Sequence, residues 1–212
     1  MKLYSYVVAR DFGFAPNPFH GFCTLATCKP VVRRLANIDD WVIGIGSKKP
    51  EYNLSGHLVY AMQVSEVMDF DSYWSDPRFL RKRPDMNGSL KMVYGDNIYH
   101  HDGKQWVQAD SHHSFVNGLM NEANVEHDTS ANRVLVATKF VYWGKSAPEI
   151  PDRFRPFGET NEDICRIAQG HLVFGDELAD AFATWLDQQG HWGYQDEPLE
   201  FAHHSTQEEL WA

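Results

Sequence analysis

The chain has 212 residues, of which 43% are hydrophobic, and this is enough for one large domain with a sizeable core. No apolar run has the length of a membrane span, and the first residues lack the pattern of a signal peptide, so membrane and secreted classes are disfavoured. The three cysteines are odd in number and widely spaced, which does not indicate a disulfide framework. We therefore expect a cytoplasmic protein, with a single domain over residues 1–195 and an acidic tail over residues 196–212.

The net charge of −10 is unevenly distributed. Residues 176–212 contain nine acids and no Lys or Arg, so residues 1–175, with 19 basic and 20 acidic side chains, sum to −1. Two basic stretches in this nearly neutral part could contact phosphate, although solvated faces explain them equally well. The predicted phosphate-contacting residues are Arg33, Arg34, Lys48, Arg81 and Lys82.

In chain order, alternating or β-branched segments predict strands and amphipathic segments predict helices. The expected strands are 2–9, 22–26, 41–46, 56–68, 94–100, 104–108 and 134–141, with a hairpin turn at Asp102-Gly103. The expected helices are 29–36, 71–81, 162–169 and 177–189, and loops are expected at 12–22, 84–95 and 148–156. This order predicts an α+β fold built on a curved, mainly antiparallel sheet or a partly closed β-barrel, with two helices at the C-terminal end.

The glycine-rich segment Gly44-Ile45-Gly46-Ser47 is expected to form a turn at the end of a strand. It is not a P-loop, because its glycines are too close together and no Gly-Lys-Ser/Thr follows. Either a tight turn or a phosphate contact accounts for the glycines.

Histidines and acids that cluster in the middle of the chain include His100, Asp110, His112 and His113. Adjacent histidines on a strand point to opposite faces, and no HExxH, HxH or CxxC pattern is present, so we expect no metal and no cofactor. Hydrogen-bonding loop histidines are the simpler interpretation, and an acid–base role is the alternative. Cys23 is considered as a nucleophile, but a small buried side chain is its ordinary role.

Aromatic side chains are frequent in the first loop and recur at Trp41 and Tyr99. Most belong to the core, but rings beside basic residues also suit the stacking of an unpaired or flipped base, which contributes about 1–3 kcal/mol per base.

Several blocks of the sequence resemble the nucleotide modification associated domain type 2 family over about residues 2–195. The blocks are Ala15–Phe19, Cys23–Pro30, Asp40–Ser47, Gly95–His100, Asp110–Ser114 and Phe140–Gly144 with Ala147-Pro148. The resemblance implies a link to hypermodified DNA bases in bacteria or phages.

A second, fold-level resemblance is to PUA-like domains, including the EVE and ASCH groups. It rests on the helix carrying Arg33-Arg34, on Asp39–Ser47, and on Gly56–Val67, and it ends after Val67. It implies a small curved β-barrel that holds a nucleotide or modified base. The pocket residues it suggests are Asn17, Cys23, Thr24, Trp41 and Ser47, to which Tyr99 is added as a ring.

Two functional classes follow. The first is a binding module that recognises a modified nucleobase or nucleotide, free or within DNA or RNA. The second is an enzyme that acts on such a base, with the histidines and Asp96 or Asp110 as acid–base or metal groups. A purely structural or interaction protein is the third possibility.

Overall fold

The computed structural model describes residues 1–49, 54–159, 162–166 and 170–202. The chain divides into two compact units. The first unit comprises Met1–Phe12, Ala36–Val64 and the chain from Thr138 onward, and the second comprises Gly13–Leu35 and Ser65–Ala137. Each unit has its own sheet.

The first unit is built on a mixed six-stranded sheet. Its strands are β1 Leu3–Val8, β3 Trp41–Gly46, β4 Leu58–Gln63, β9 Lys139–Tyr142, β10 His171–Phe174 and β11 Gly193–Tyr194. They lie in the order β10-β1-β3-β4-β9-β11. The β1–β3 and β9–β11 pairs are parallel and the other three are antiparallel. The helix α5 Asp176–Gln189 contacts β1 and buries Leu178, Phe182 and Leu186.

The second unit contains a three-stranded antiparallel sheet and a hairpin. The sheet has the order β2 Cys23–Leu25, β8 Val134–Ala137 and β5 Glu66–Met68, and the hairpin pairs β6 Tyr99–Asp102 with β7 Gln105–Gln108. Its helices are α1 Pro30–Leu35, α2 Phe70–Ser75, α3 Leu90–Val93 and α4 Glu122–Thr129, with a 3-10 helix at Pro77–Lys82.

The mixed α and β composition and the predominance of antiparallel pairs agree with the sequence prediction. The predicted partly closed barrel does not agree with the structure. None of the three sheets formed by the described strands closes on itself, because β10 and β11 lie at opposite ends of the six-stranded sheet and pair only with β1 and β9.

Three local predictions are corrected by the structure. The predicted strands 56–68 and 134–141 are each two strands, divided at Val64-Ser65 and at Thr138. The predicted helix 162–169 is absent over residues 162–166, where Glu162 forms an isolated bridge with Phe157, and residues 167–169 lie outside the described part of the chain. The helices α3 and α4 and the strands β10 and β11 were not predicted.

The predicted glycine turn is part of strand β3 rather than a loop. Gly44 faces Tyr60 on β4, and a Cβ at this position would lie 2.4 Å from the Tyr60 ring. A glycine here therefore permits close packing within the sheet, and its presence does not indicate a phosphate site.

Within the part of the chain that is described, no helix combines the length and apolar character needed to cross a bilayer. Part of the predicted acidic tail is packed: Glu200 and Phe201 are buried, and the Leu199 N–H donates to the Asp11 carboxylate.

Candidate functional site

Cys28 lies in the short connection between β2 and α1, in a backbone conformation that is unusual for its residue type. Its φ is +56°, and that of the following Lys29 is +41°. Residues other than glycine rarely adopt this left-handed backbone conformation. Where they do, the surrounding structure stabilises it, and such residues are frequent at functional sites. Cys28 is half-buried, whereas Cys23 and Cys165 are buried.

His113 faces the sulfur of Cys28. Its Nε2 is 3.8 Å from Cys28 Sγ, and its Nδ1 is 2.9 Å from Oδ2 of Asp128. Burial lowers the pKa of His113, but the hydrogen bonds to Asp128 and to Cys28 outweigh this effect and raise the pKa to about 9. At neutral pH His113 is therefore an imidazolium, and its Nε2 edge faces the Cys28 sulfur.

Asp128 is fully buried in the last turn of α4 and organises the site. Besides His113, its carboxylate accepts hydrogen bonds from the Cys28 backbone N–H at 2.8 Å and the Tyr99 hydroxyl at 2.9 Å. A third bond joins Oδ1 to Nδ1 of His127 at 3.1 Å. Burial raises the pKa of Asp128, but the bonds to His113, His127 and Tyr99 lower it overall, so the carboxylate stays ionised.

Arg33 holds the backbone around Asp128 through hydrogen bonds from its guanidinium. It is fully buried, and its guanidinium donates to the carbonyls of Cys28, Ala131, Arg133 and Asp128. These bonds tie the Cys28 connection to the C-terminal end of α4. Arg33 was predicted to contact phosphate; its guanidinium instead donates to backbone carbonyls here, and the phosphate contact stays a prediction.

The three side chains form a cysteine–histidine–aspartate arrangement. A nucleophile, a histidine that can carry its proton, and a carboxylate that orients the histidine recur together in covalent catalysis on unrelated folds. Here the order is Cys28, His113, Asp128, and the Asp128 bond leaves the Nε2 edge of the imidazole facing the sulfur.

The same residues are the one group among those described whose ligand atoms, all within 4.8 Å of one another, could hold a metal ion. A metal shared by Cys28 and the Nε2 of His113 would leave Asp128 on the opposite edge of the ring, where carboxylates orient a metal-bound histidine without binding the metal. Only two of the three would then be ligands. A structural zinc site normally has four protein ligands, so the geometry suits proton transfer better than metal binding.

A second polar cluster is buried next to strand β2, which precedes Cys28 in the chain. Its members are Asn17, Thr24, Tyr73, Lys82 and Asp96. The Asp96 carboxylate accepts from the Thr24 hydroxyl and the Tyr73 hydroxyl, each at 2.7 Å. Lys82 Nζ donates to the Asn17 carbonyl, the Asn17 side-chain oxygen and the Phe22 carbonyl at 2.6–3.1 Å. Burial lowers the pKa of Lys82 to about 8, despite the nearby Asp96 and Cys23.

Two of the predicted residues lie in or beside this cluster. The Lys82 ammonium is buried and donates its three hydrogen bonds within the protein, and its predicted phosphate contact stays a prediction. Cys23 is buried, and burial raises the pKa of its thiol far above the usual range.

The chain was also compared with known proteins. A family model described as "Nucleotide modification associated domain 2" matches residues 1–205. The chain belongs to the nucleotide modification associated domain 2 family. No curated protein matches it, and no solved structure does.

Four of the sequence blocks that resembled the nucleotide modification associated domain 2 family meet in the two clusters. The block Ala15–Phe19 contributes Asn17, Cys23–Pro30 contributes Thr24 and Cys28, Gly95–His100 contributes Asp96 and Tyr99, and Asp110–Ser114 contributes His113. Asp128 lies outside the blocks.

Of the other predicted catalytic residues, His112 lies beside the cysteine site, with its ring centroid 5.9 Å from that of His113, whereas the contacts of His100 and Asp110 are made elsewhere. His100 stacks on Trp74 with ring centroids 4.0 Å apart, and Asp110 accepts a hydrogen bond from Ser114. His112 is exposed, and its ring lies 5.3 Å from Phe14. Tyr99, predicted as a stacking ring, is buried and instead donates to Asp128.

The remaining predicted ligand-binding and phosphate-contacting residues are spread over both units. Trp41 is buried in the sheet of the first unit, and Ser47 accepts a hydrogen bond from the Lys49 N–H there. Lys48, also in the first unit, is exposed. In the second unit Arg34 is exposed and donates to the Ser130 carbonyl. A pocket shared by Asn17, Thr24, Trp41 and Ser47 stays a prediction.

Proposed function

We propose that this domain is a thiol-dependent enzyme of nucleotide modification, with Cys28 as the nucleophile that attacks a nucleotide or a modified base. The observation that carries the proposal is the alignment of the Cys28 sulfur with the Nε2 edge of His113, whose other nitrogen is held by buried Asp128. The family membership supports the substrate class, and the side-chain geometry supports catalysis over simple binding.

The proposed step begins from the thiolate–imidazolium pair. The sulfur electron pair forms a bond to an electrophilic carbon of the substrate, and the π pair of that carbon moves to its attached oxygen or nitrogen. When the π bond re-forms, the bond from the carbon to its leaving group breaks, and the leaving group takes the Nε2 proton of His113. The neutral imidazole then accepts a proton from water, whose oxygen displaces the sulfur and restores the pair.

A module that only binds a base has no need for this arrangement. Stacking requires rings and phosphate contacts require cations, whereas a buried carboxylate that keeps a histidine charged beside a sulfur serves proton transfer. Aromatic surface is nevertheless at hand, since the exposed His112 ring lies beside His113, with centroids 5.9 Å apart. We assign recognition of a flat base to this side of the site.

The experiment incubates the protein with modified and unmodified deoxynucleotides and oligonucleotides and follows their masses by mass spectrometry. We expect a product that disappears with Cys28→Ser and forms about 10²–10⁴-fold more slowly with His113→Ala, since a positioned acid–base group contributes a factor of this size.

Cys165→Ser is the matched control, because Cys165 is a buried cysteine of the first unit and should leave the reaction unchanged. Metal analysis of the same preparations adds a second readout. Ligand retention without any Cys28-dependent product would favour the binding module, and stoichiometric metal lost on Cys28→Ser would favour metal chemistry.

A further inference from the structure

The two oxygens of the Asp128 carboxylate have different partners. Oδ1 accepts from the Cys28 backbone N–H at 2.8 Å and lies 3.1 Å from Nδ1 of His127. Oδ2 lies 2.9 Å from Nδ1 of His113 and accepts from the Tyr99 hydroxyl, also at 2.9 Å. The hydrogen bond that orients His113 therefore ends on an oxygen that Tyr99 shares.

The proton of the Tyr99 hydroxyl is directed at this shared oxygen. Tyr99 is buried in β6, and burial together with the Asp128 carboxylate raises its pKa, so the hydroxyl stays protonated. The Tyr99 oxygen accepts from the Gln108 side-chain amide at 3.3 Å, and the Asn124 carbonyl, a second possible acceptor for its proton, is 3.4 Å away. Oδ2 of Asp128 is both nearer and charged, and hydrogen bonds to ionised groups are the stronger ones.

The start of α4 fixes the orientation of Gln108. The side-chain oxygen of Gln108 accepts from the backbone N–H of Asn121, the N-cap of α4, at 2.7 Å. Because a backbone donor uses that oxygen, the amide nitrogen is the end of the side chain that faces Tyr99. A continuous series of donors thus runs from the start of α4 through Gln108 and Tyr99 to Asp128.

We propose that Tyr99 is a positioning residue of the cysteine site, which acts on His113 through the shared Oδ2 of Asp128. The Cys28 N–H and His127 already hold Oδ1, so the carboxylate keeps its orientation without the hydroxyl. The effect of the hydroxyl is on Oδ2, since a carboxylate oxygen that already accepts one hydrogen bond attracts a second proton less strongly.

The consequence for the proposed step is a more acidic imidazolium. When Asp128 holds the Nδ1 proton of His113 less tightly, the ring gives up its Nε2 proton more readily to a leaving group. The role of Tyr99 rests on the proposed function for this step alone, because the chain of hydrogen bonds that ends on Oδ2 requires no substrate.

Phenylalanine at position 99 removes the hydroxyl and keeps the ring. The ring contact with Phe70, whose centroid is 5.5 Å from that of Tyr99, remains possible. Besides Tyr99, the charged and titratable groups that face the His113–Asp128 pair within the described chain are Cys28, Arg33, His112 and His127. Tyr99→Phe replaces none of them, so a change at His113 reports the lost hydroxyl.

The first test compares the wild type with Tyr99→Phe by proton NMR of the histidine rings. Of the two donors on Oδ2 only His113 remains, so its Nδ1 proton should move downfield. The pKa of His113 should rise by about half a unit, a fraction of the roughly one to two units that a hydrogen bond to an ionised group can contribute. Tyr73→Phe is the matched control, because Tyr73 is a buried tyrosine of the same unit whose hydroxyl donates to Asp96. It should leave the His113 signals unchanged.

Gln108→Leu gives a second reading that keeps the Tyr99 hydroxyl. Hydrogen bonds in a chain polarise one another, so the hydroxyl without the Gln108 amide is a weaker donor to Asp128. The His113 signals should therefore move in the same direction as in Tyr99→Phe, by a smaller amount. This variant also tests the role of Tyr99 if Tyr99→Phe does not fold.

Unchanged His113 signals in both folded variants, or a pKa of His113 that falls in Tyr99→Phe, would overturn this role of Tyr99. The outcome is separate from the fate of the proposed function, because the NMR measurement needs no substrate. Shifted signals in a protein that forms no Cys28-dependent product would support the role of Tyr99 and contradict the proposed function. Unchanged signals in a protein that does form the product would do the reverse.

Discussion

Replacing Asp128 with alanine is expected to lower the free energy of unfolding by about 3–5 kcal/mol, the usual cost of breaking a buried ion pair. The carboxylate is fully buried and accepts from the Cys28 N–H, the His113 and His127 rings and the Tyr99 hydroxyl. Alanine leaves these donors without an acceptor and leaves the imidazolium of His113 uncompensated. Urea denaturation at pH 6 measures the loss.

Asp128→Asn separates charge from shape in the same site. The folded pKa of His113 lies at about 9, above its ordinary 6.5, so the folded state binds the extra proton and this stabilisation is lost as pH rises from 6.5 to 9. A shift of this size corresponds to about 3 kcal/mol. Asparagine should remove most of that pH dependence. A wild-type stability that stays level over this range, or an asparagine variant with an unchanged slope, would contradict the assigned pair.

Replacing Lys82 with methionine is expected to destabilise the second unit by about 3 kcal/mol at pH 7, since one partner of a buried charged network is removed. The buried ammonium satisfies the Asn17 side-chain oxygen and two backbone carbonyls, and it offsets the charge of Asp96. Methionine fills the space but donates no hydrogen bond. Thermal and urea denaturation report the change.

The pH dependence gives an independent readout for Lys82. Its folded pKa is about 8, below the ordinary 10.5, so the unfolded state binds more protons in this interval and stability rises as pH increases from 8 to 10.5. Lys82→Met should lack this rise. Arg78→Met, an exposed ion pair on the same 3-10 helix, should cost no more than about 1 kcal/mol. Equal losses from the two substitutions would show that Lys82 is not a buried structural cation.

Local sequence patterns predicted most of the strands but not where they end. Residues 56–68 alternate without a break, yet the chain leaves β4 at Gln63 and begins β5 at Glu66, because β4 pairs with β3 and β9 while β5 pairs with β8. Pairing with distant strands decides such a division, and a pattern of period two does not contain it. The helix α4 was missed because its sequence, EANVEHDT, carries no apolar stripe.

The cysteine site was only partly accessible from the sequence. His113 was among the predicted acid–base residues, but Cys28 is 85 positions from His113 and 100 positions from Asp128, so no spacing rule connects them. Cys23 is the cysteine considered as a nucleophile from the sequence, and the fold buries it. The left-handed backbone at Cys28 is the local feature that distinguishes the two cysteines, and a sequence gives no φ. The sequence also does not distinguish buried from exposed basic residues. Arg33 and Lys82 are buried, whereas Arg81 is exposed.

The rate of alkylation of Cys28 by iodoacetamide at pH 7, followed by peptide mass spectrometry in the wild type and in His113→Ala, tests the central claim most directly. The proposed site places the charged imidazole of His113 beside the Cys28 sulfur, and the substitution removes that charge, so Cys28 should react at least about tenfold faster in the wild type. The buried Cys23 and Cys165 serve as internal controls and should react slowly in both proteins. Equal Cys28 rates in the two proteins would contradict the assignment of Cys28, His113 and Asp128 as a reactive site.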